Sequence, residues 1–448
     1  GYRTPLDALK NGTREKILYV LCINPNPDAN KTPDYLATVD VDPESPTYSQ
    51  VIDRMYGTAL GDEMHHFGWN ACSSCFGDET KSRNKLVIPC IGSDRIYIVD
   101  ISDNRHPKLH KVIEPEVMHK YGVSTPHTTH CLADGRVMIS TLGDPNGEGK
   151  GDFLLIDGNT WDIIGTWTKG EKKAKFGYDY WYQPHWDVMI STEWAAPKSF
   201  KKGFSFEEIT DPNLTGRSIN VFSWSDQKLL QVIDLGVDGI APLEVRFLHN
   251  PLAAEGFVGC ALNSNIFRFF RRDDGTWEAE KVISIPAKKV EGWVKPEMPG
   301  LVTDILLSLD DRFLYLSNWL HGDIRQYDVT DTSNPKLVGQ IYLGGSITKE
   351  GPVKVIEQPP VRVIKGEKIH GSPQMLQLSL DGKRLYVTTS LFTPWDRQFY
   401  PDMIKHGSVM LKIDVDTENG GMTLDENYLV NFGKEPGGPV LAHETRYY

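Results

Sequence analysis

Apolar and polar residues alternate along most of this chain, and the alternation comes in pairs of short runs joined by turn residues. Seven such pairs begin at Tyr35, Arg95, Phe153, Ile219, Asn265, Asp323 and Ser408, as in RIYIVDISDNRHPKLHKVI and DIRQYDVTDTSNPKLVGQIYL. Each reads as a β-hairpin: a period-two run, a cluster of Asp, Asn, Gly, Ser or Pro, then a second run. A second hairpin precedes several of them, with a tight Asp-Gly or Asp-Asp turn. Examples are HTTHCLADGRVMISTL, DILLSLDDRFLYLSNW and MLQLSLDGKRLYVTTS. Four antiparallel strands per unit and seven units predict an all-β protein, a seven-bladed β-propeller. The first unit opens directly on KILYVLCIN and lacks a first strand, whereas PVLAHETRYY at the C-terminus has no unit of its own. The expectation is that this last segment supplies the innermost strand of blade 1 and closes the ring.

Length fits that reading. At 448 residues the chain exceeds the usual size of a single core. A propeller distributes its core over the interfaces between blades, so one domain over 1–448 is expected. The least regular stretches, 169–206, 288–300 and 344–369, read as loops. A net charge of −12 excludes a nucleic-acid or anionic-membrane partner that needs a basic surface. No apolar run approaches the ~18 residues of a membrane span. Six cysteines are too few for a disulfide scaffold. With no signal peptide in GYRTPLDALK, they point to a reducing cytoplasmic compartment, or an extracytoplasmic one if a leader was removed.

The repeat also sorts the 13 histidines. Aligning blades on their first turns places His127 at the channel entrance of blade 3, equivalent to Thr303 and Gln374 in blades 6 and 7. His65 and His66 fall at the entrance of blade 2 and His443 at that of blade 1. His130 lies a step further in, and His321 sits in a loop on the same face. His185 and His249 occupy turns on the far face, and His106, His110, His119 and His406 lie among charged residues of outer hairpins. Protonated imidazoles crowded into one volume would repel each other. Neutral ones sharing a metal would not, and imidazole-rich sites suit Zn, Cu, Fe or Ni. The alternative is a polar, water-filled channel. Glu244 maps to the entrance of blade 5 and Glu444 follows His443, so either carboxylate is placed to orient a ligand imidazole.

Cys72 and Cys75 form a CSSC directly after the histidine pair. No second pair completes a zinc site, and the motif does not open a helix after a strand as a thioredoxin-type pair does. The pair is either a thiol centre facing the channel or an ordinary pair of buried small residues or a disulfide. Cys22, Cys90, Cys131 and Cys260 sit in apolar runs as packing residues. No GxSxG, Walker loop, GxGxxG or HExxH is present.

The segments HHFGWNACSSCFGD, GYDYWYQP, MISTEWAAP, NWLHGDIRQYDV and LAHETRY resemble the selenium-binding protein family, whose members include methanethiol oxidases. The resemblance runs over essentially the whole chain. It implies a propeller and the conversion of methanethiol, O2 and water to formaldehyde, hydrogen sulfide and hydrogen peroxide, with copper as the associated metal. Partners would then be a small thiol and O2, with a selenium species and oligomerisation left open. On this resemblance His65, His66, His127, His130 and His443 match the family's histidine motifs. Cys72 or Cys75 would be a redox partner or sulfur relay. Ser49 stands where a selenium-ligating cysteine is proposed in other members, which weighs against selenium attachment there. Where many members have YQPRHN and GGPQM, this chain has YQPHWD and HGSPQM, so His185 and His370 are individual to it. The alternative function is a non-catalytic propeller that carries selenium or sulfur and docks partners.

Overall fold

The computed structural model describes all 448 residues, Gly1–Tyr448. Seven antiparallel sheets, each of four main strands, stand around one axis. All seven outer hairpins expected from the alternation are present. The ring closes as the terminal segment implied: Leu441–Tyr447 pairs antiparallel with Ile17–Ile23, Leu18 opposite Tyr447 and Ile23 opposite Leu441. The innermost strands of neighbouring blades touch around the channel.

Packing follows the pattern that the long chain demands. Seven apolar clusters each join one blade to the next, for example Leu18, Val20 and Ala37 of blade 1 with Tyr386 and Met410 of blade 7. Central strands such as Ile17–Ile23 are buried on both faces, while outer strands such as Lys228–Asp234 alternate between covered and exposed positions. The N-terminal segment is tied to blade 7 by a buried ion pair. Arg384 donates to both carboxylate oxygens of Glu15, at 2.5 and 2.9 Å, and Tyr386 donates to one of them at 2.8 Å.

Two differences from the sequence reading concern the face that carries the histidines. The stretch 169–206 is not simply loop: Tyr180–Gln183 and Val188–Ser191 are the two inner strands of blade 4. Four-residue strands rich in Tyr and Trp show too little alternation to be recognised. Short helices, Pro197–Phe200, Phe206–Thr210, Thr393–Phe399 and Pro401–His406, also cover one end of the channel. They build an eighth apolar cluster that includes Trp194, Phe200, Trp319, Phe392, Trp395 and Tyr400. The channel end that carries the histidines is therefore roofed by aromatic side chains. No helix is long and apolar enough to cross a membrane.

Candidate metal centre

Backbone irregularities aim the side chains. In blade 3, Pro126 pairs with Thr141 and Thr129 with Ile139, so His127 and Thr128 oppose the single residue Ser140. In blade 1, Val20 pairs with Thr445 and Cys22 with Ala442, so His443 and Glu444 oppose Leu21 alone. Blade 5 repeats the device at Leu243 and Glu244 opposite Gly259. Such β-bulges re-aim side chains out of the regular alternation. Here they turn equivalent positions of the inner strands toward the axis. Gly68 does the rest: a Cβ there would stand 2.5 Å from the Thr129 carbonyl oxygen. Only glycine lets the start of blade 2 press against blade 3, and that approach sets His66 beside His127.

Four imidazoles meet as a result. Ring centroids are 4.1 Å apart for His66 and His127, 4.7 Å for His65 and His66, 5.2 Å for His65 and His127 and 3.9 Å for His65 and His443. All four are buried, none more than 5 % exposed. The coordinating atoms of His65, His66 and His443 all lie within 4.8 Å of one another. Three of the outer nitrogens are held from behind. His443 Nδ1 donates to the Ser390 carbonyl at 2.7 Å, His127 Nδ1 meets Thr128 Oγ1 at 3.0 Å, and His66 Nδ1 lies 3.2 Å from Glu444 Oε1. The inner nitrogens, His66 Nε2, His127 Nε2, His443 Nε2 and His65 Nδ1, are buried without any partner. Unpaired buried polar atoms are costly, and the close group of His65, His66 and His443 could hold a metal ion; His127 stands beside it with its ring against His66.

Electrostatics agree. Burial, then the neighbouring imidazoles, push His65 and His127 far below the ordinary histidine range, and the same causes bring His443 to about 3. Three neutral imidazoles present lone pairs at neutral pH. Burial opposes ionisation of Glu444, but Arg446, His66 and the Phe67 N–H together hold its carboxyl down at about 2. It is a fixed anion behind His66, the carboxylate–histidine pairing common at metal sites.

The structure does not bring every candidate to this point. His130 lies three residues past His127 on a strand, an advance of ~10 Å. Its Nε2 meets the Tyr180 carbonyl at 3.1 Å, its ring packs on Tyr180 and Trp181, and burial lowers it to about 4. It lines a polar chamber further along the channel. His321 Nε2 donates to the Met298 carbonyl at 2.9 Å, beneath the roof. Glu244 does not orient an imidazole; Arg246 Nη2 donates to it at 2.9 Å, within a buried group that also holds Asp179 and Asp304. Glu444 has the orienting role. His370 stacks on His406, and His249, in the first turn of blade 5, pairs with Asp311.

The cysteines also differ from expectation. Cys75 is buried with its thiol 3.7 Å from the Leu132 carbonyl. Cys72 Sγ lies 2.7 Å from Cys131 Sγ, so Cys131 is not a plain packing residue. Ser49 sits in the outer hairpin of blade 1, between the strands Tyr35–Asp40 and Gln50–Tyr56.

Residues missed from the sequence complete the centre. Tyr178 packs its ring 4.0 Å from that of His127. Asp396, from the helix Thr393–Phe399, accepts from Ser390 Oγ at 2.6 Å and from the Leu391 N–H at 3.1 Å, fixing the turn whose carbonyl receives His443. The Thr393-Pro394 helix start was the available signal. Two cavities flank the imidazoles. A small apolar one beside His65 is lined by Tyr178, Trp194, Leu243, Leu391, Phe392 and Trp395. The polar chamber on the other side reaches His66 and Glu444 and carries Asp179, Glu244, Arg246 and Asp304.

Fold and site together define a seven-bladed propeller with a buried histidine centre under an aromatic roof. The chain belongs to the 56 kDa selenium-binding protein family, whose model matches residues 1–448. It is 62 % identical over 455 residues to a methanethiol oxidase of Xenopus tropicalis and 60 % identical to selenium-binding protein 2 of Mus musculus. Each of those alignments covers 100 % of this chain and 96 % of the relative. A crystal structure of a hypothetical selenium-binding protein from Sulfolobus tokodaii superposes with a TM-score of 0.88 at 36 % identity, over 100 % of this chain and 96 % of that one.

Proposed function

We propose that this chain is a copper-dependent methanethiol oxidase, converting methanethiol, O2 and water to formaldehyde, hydrogen sulfide and hydrogen peroxide. The observation that carries the reading is the close group of His65, His66 and His443, whose buried nitrogens lack partners, with the unpartnered His127 beside it under the roof. Full-length relatives named methanethiol oxidase support it. Copper held by these nitrogens would supply a soft acceptor for a thiolate and an electron route to O2.

The chain's own residues do the rest. The backbone of Ser390, Thr128 and the Glu444 carboxylate keep the outer nitrogens of His443, His127 and His66 occupied, which leaves their Nε2 atoms free to bind a metal. The apolar cavity beside His65 accepts a methyl group and offers nothing to a charged or bulky thiol. The aromatic roof excludes bulk water from that side. Water and the thiol proton have a route on the other side, through the polar chamber. There burial raises Asp304 to about 7, so its carboxyl is suited to exchange a proton near neutral pH; burial and Asp179 also raise Glu244. Cys72 opens onto this chamber.

The test is turnover by copper-loaded protein: one O2 consumed per methanethiol, with formaldehyde, sulfide and hydrogen peroxide released in equal amounts. Protein that holds one copper yet leaves methanethiol untouched contradicts the oxidase reading. The second reading, a selenium- or sulfur-carrying scaffold, draws on the relative named selenium-binding protein 2. It expects no stoichiometric metal after growth in copper-replete medium.

Two further outcomes follow from the electrostatics. Glu444→Gln keeps an acceptor for the Phe67 N–H but removes the charge behind His66, and copper affinity should fall ~10–100-fold in chelator competition. Because His65, His127 and His443 are already neutral well below pH 6.5, they release no protons on binding metal. Between pH 7.5 and 5.5 the affinity should fall by no more than ~10-fold per pH unit, the slope of one proton. A site of four ordinary histidines loses several times that on a logarithmic scale below pH 6.5.

A further inference from the structure

Cys72 and Cys131 lie 59 residues apart in sequence and 2.7 Å apart at sulfur. Cys131 ends the inner strand of blade 3, Ser124–Cys131, and is buried; Cys72 is exposed in the turn after Gly68–Trp69. The partner suggested by the CSSC spacing is the wrong one: Cys75 turns its thiol to the Leu132 carbonyl. Ser74 Oγ stands 3.1 Å from Cys72 Sγ and 4.0 Å from Cys131 Sγ, so a hydroxyl is at hand for charge on either sulfur. The setting gives access to an oxidant. Cys72 lines both the polar chamber and an outer cleft formed with Tyr2, Phe76 and Arg83, whereas Cys131 lines the chamber alone. One sulfur therefore meets solvent and the other waits behind it, as in an attacking and a resolving cysteine.

We propose that Cys72 and Cys131 form a peroxide-reactive dithiol that closes to a disulfide across the wall of the chamber. Cys72 is the sulfur that attacks, because it alone of the two opens to the outer cleft and hydrogen bonding from Cys131, together with Ser74, lowers its thiol. Its thiolate displaces hydroxide from hydrogen peroxide, breaking the O–O bond and leaving a sulfenic acid. The Cys131 sulfur then attacks that sulfur; the S–S bond forms, the S–O bond breaks and the oxygen leaves as water. Two thiols lose two electrons, and one hydrogen peroxide becomes two waters. The sulfurs already stand 2.7 Å apart, against ~2.05 Å in the closed bond. The assignment rests on this geometry and is independent of the oxidase reading.

The experiment uses the full-length reduced protein, treated with one equivalent of hydrogen peroxide, alkylated under denaturing conditions and digested without reductant. Mass spectrometry should find the Cys72 and Cys131 peptides linked, two of the six thiols lost, and both restored by dithiothreitol. Cys75→Ser should form the same link. Cys131→Ser should form none and should accumulate a dimedone-reactive sulfenic acid at Cys72. A Cys72–Cys75 link overturns the proposal, as does an unlinked wild-type protein whose Cys72 stays reduced or passes to sulfinic acid.

Discussion

His127→Ala should abolish methanethiol oxidation together with bound copper, while the fold survives. His127 contributes one of four unpartnered inner nitrogens, and its outer nitrogen leans only on Thr128. Removing a ligand should exceed the ~10–100-fold weakening typical of losing a supporting partner, so copper should be lost on gel filtration. Stability should change little by comparison, since the substitution deletes an unsatisfied buried polar atom as well as packing against Tyr178. Metal content by mass spectrometry and the far-ultraviolet spectrum separate these effects. His130→Ala is the control: its ring lines the chamber wall on Tyr180 and Trp181, so copper should remain at one per chain. Copper retained in His127→Ala would remove that residue from the site.

Deleting residues 439–448 should destroy cooperative folding and leave no native baseline in thermal unfolding. The deletion removes a whole inner strand, so Ile17–Ile23 loses one of its two ladders and becomes a long buried edge. Val440, Leu441 and Ala442 leave the core around blade 1. Burying a Val or Leu side chain contributes ~1.5–3 kcal/mol. With the ladder gone as well, the loss reaches the ~5–15 kcal/mol that stabilises a whole domain. The same segment carries His443 and Glu444, so no metal centre can assemble without ring closure. A truncated protein with an unchanged melting midpoint would contradict both the closure and its coupling to the site.

What could be read from sequence, and what could not, follows from how each feature is encoded. The outer hairpins declare themselves because half-exposed strands must alternate, as Lys228–Asp234 does. His127 and Glu244 could be placed at equivalent positions because the first turns of their blades align, and His443 because the C-terminal segment had only blade 1 to complete; those positions prove to be the bulges. The bulges themselves leave no mark in the pattern. The HxxH of His127 and His130 invites a shared ion, but that spacing joins side chains on a helix and separates them on a strand. Glu244 lost its expected role because Arg246, two residues on, drew it into a charged group with Asp179 and Asp304. The roof was invisible because helices of four to seven residues show no amphipathic period. The contact between Cys72 and Cys131 joins two blades through tertiary structure alone, and CSSC spacing pointed elsewhere.

The most direct test of the centre is an anomalous difference map collected at the copper edge from crystals of the active protein. The expected result is a single strong peak between His66 Nε2, His127 Nε2, His443 Nε2 and His65 Nδ1, at ~2 Å from its ligands, with density for no second metal at His130 or His321. A featureless map there in protein that still oxidises methanethiol, or a peak on the far side of the chamber, would contradict the assignment of these four imidazoles as the catalytic centre.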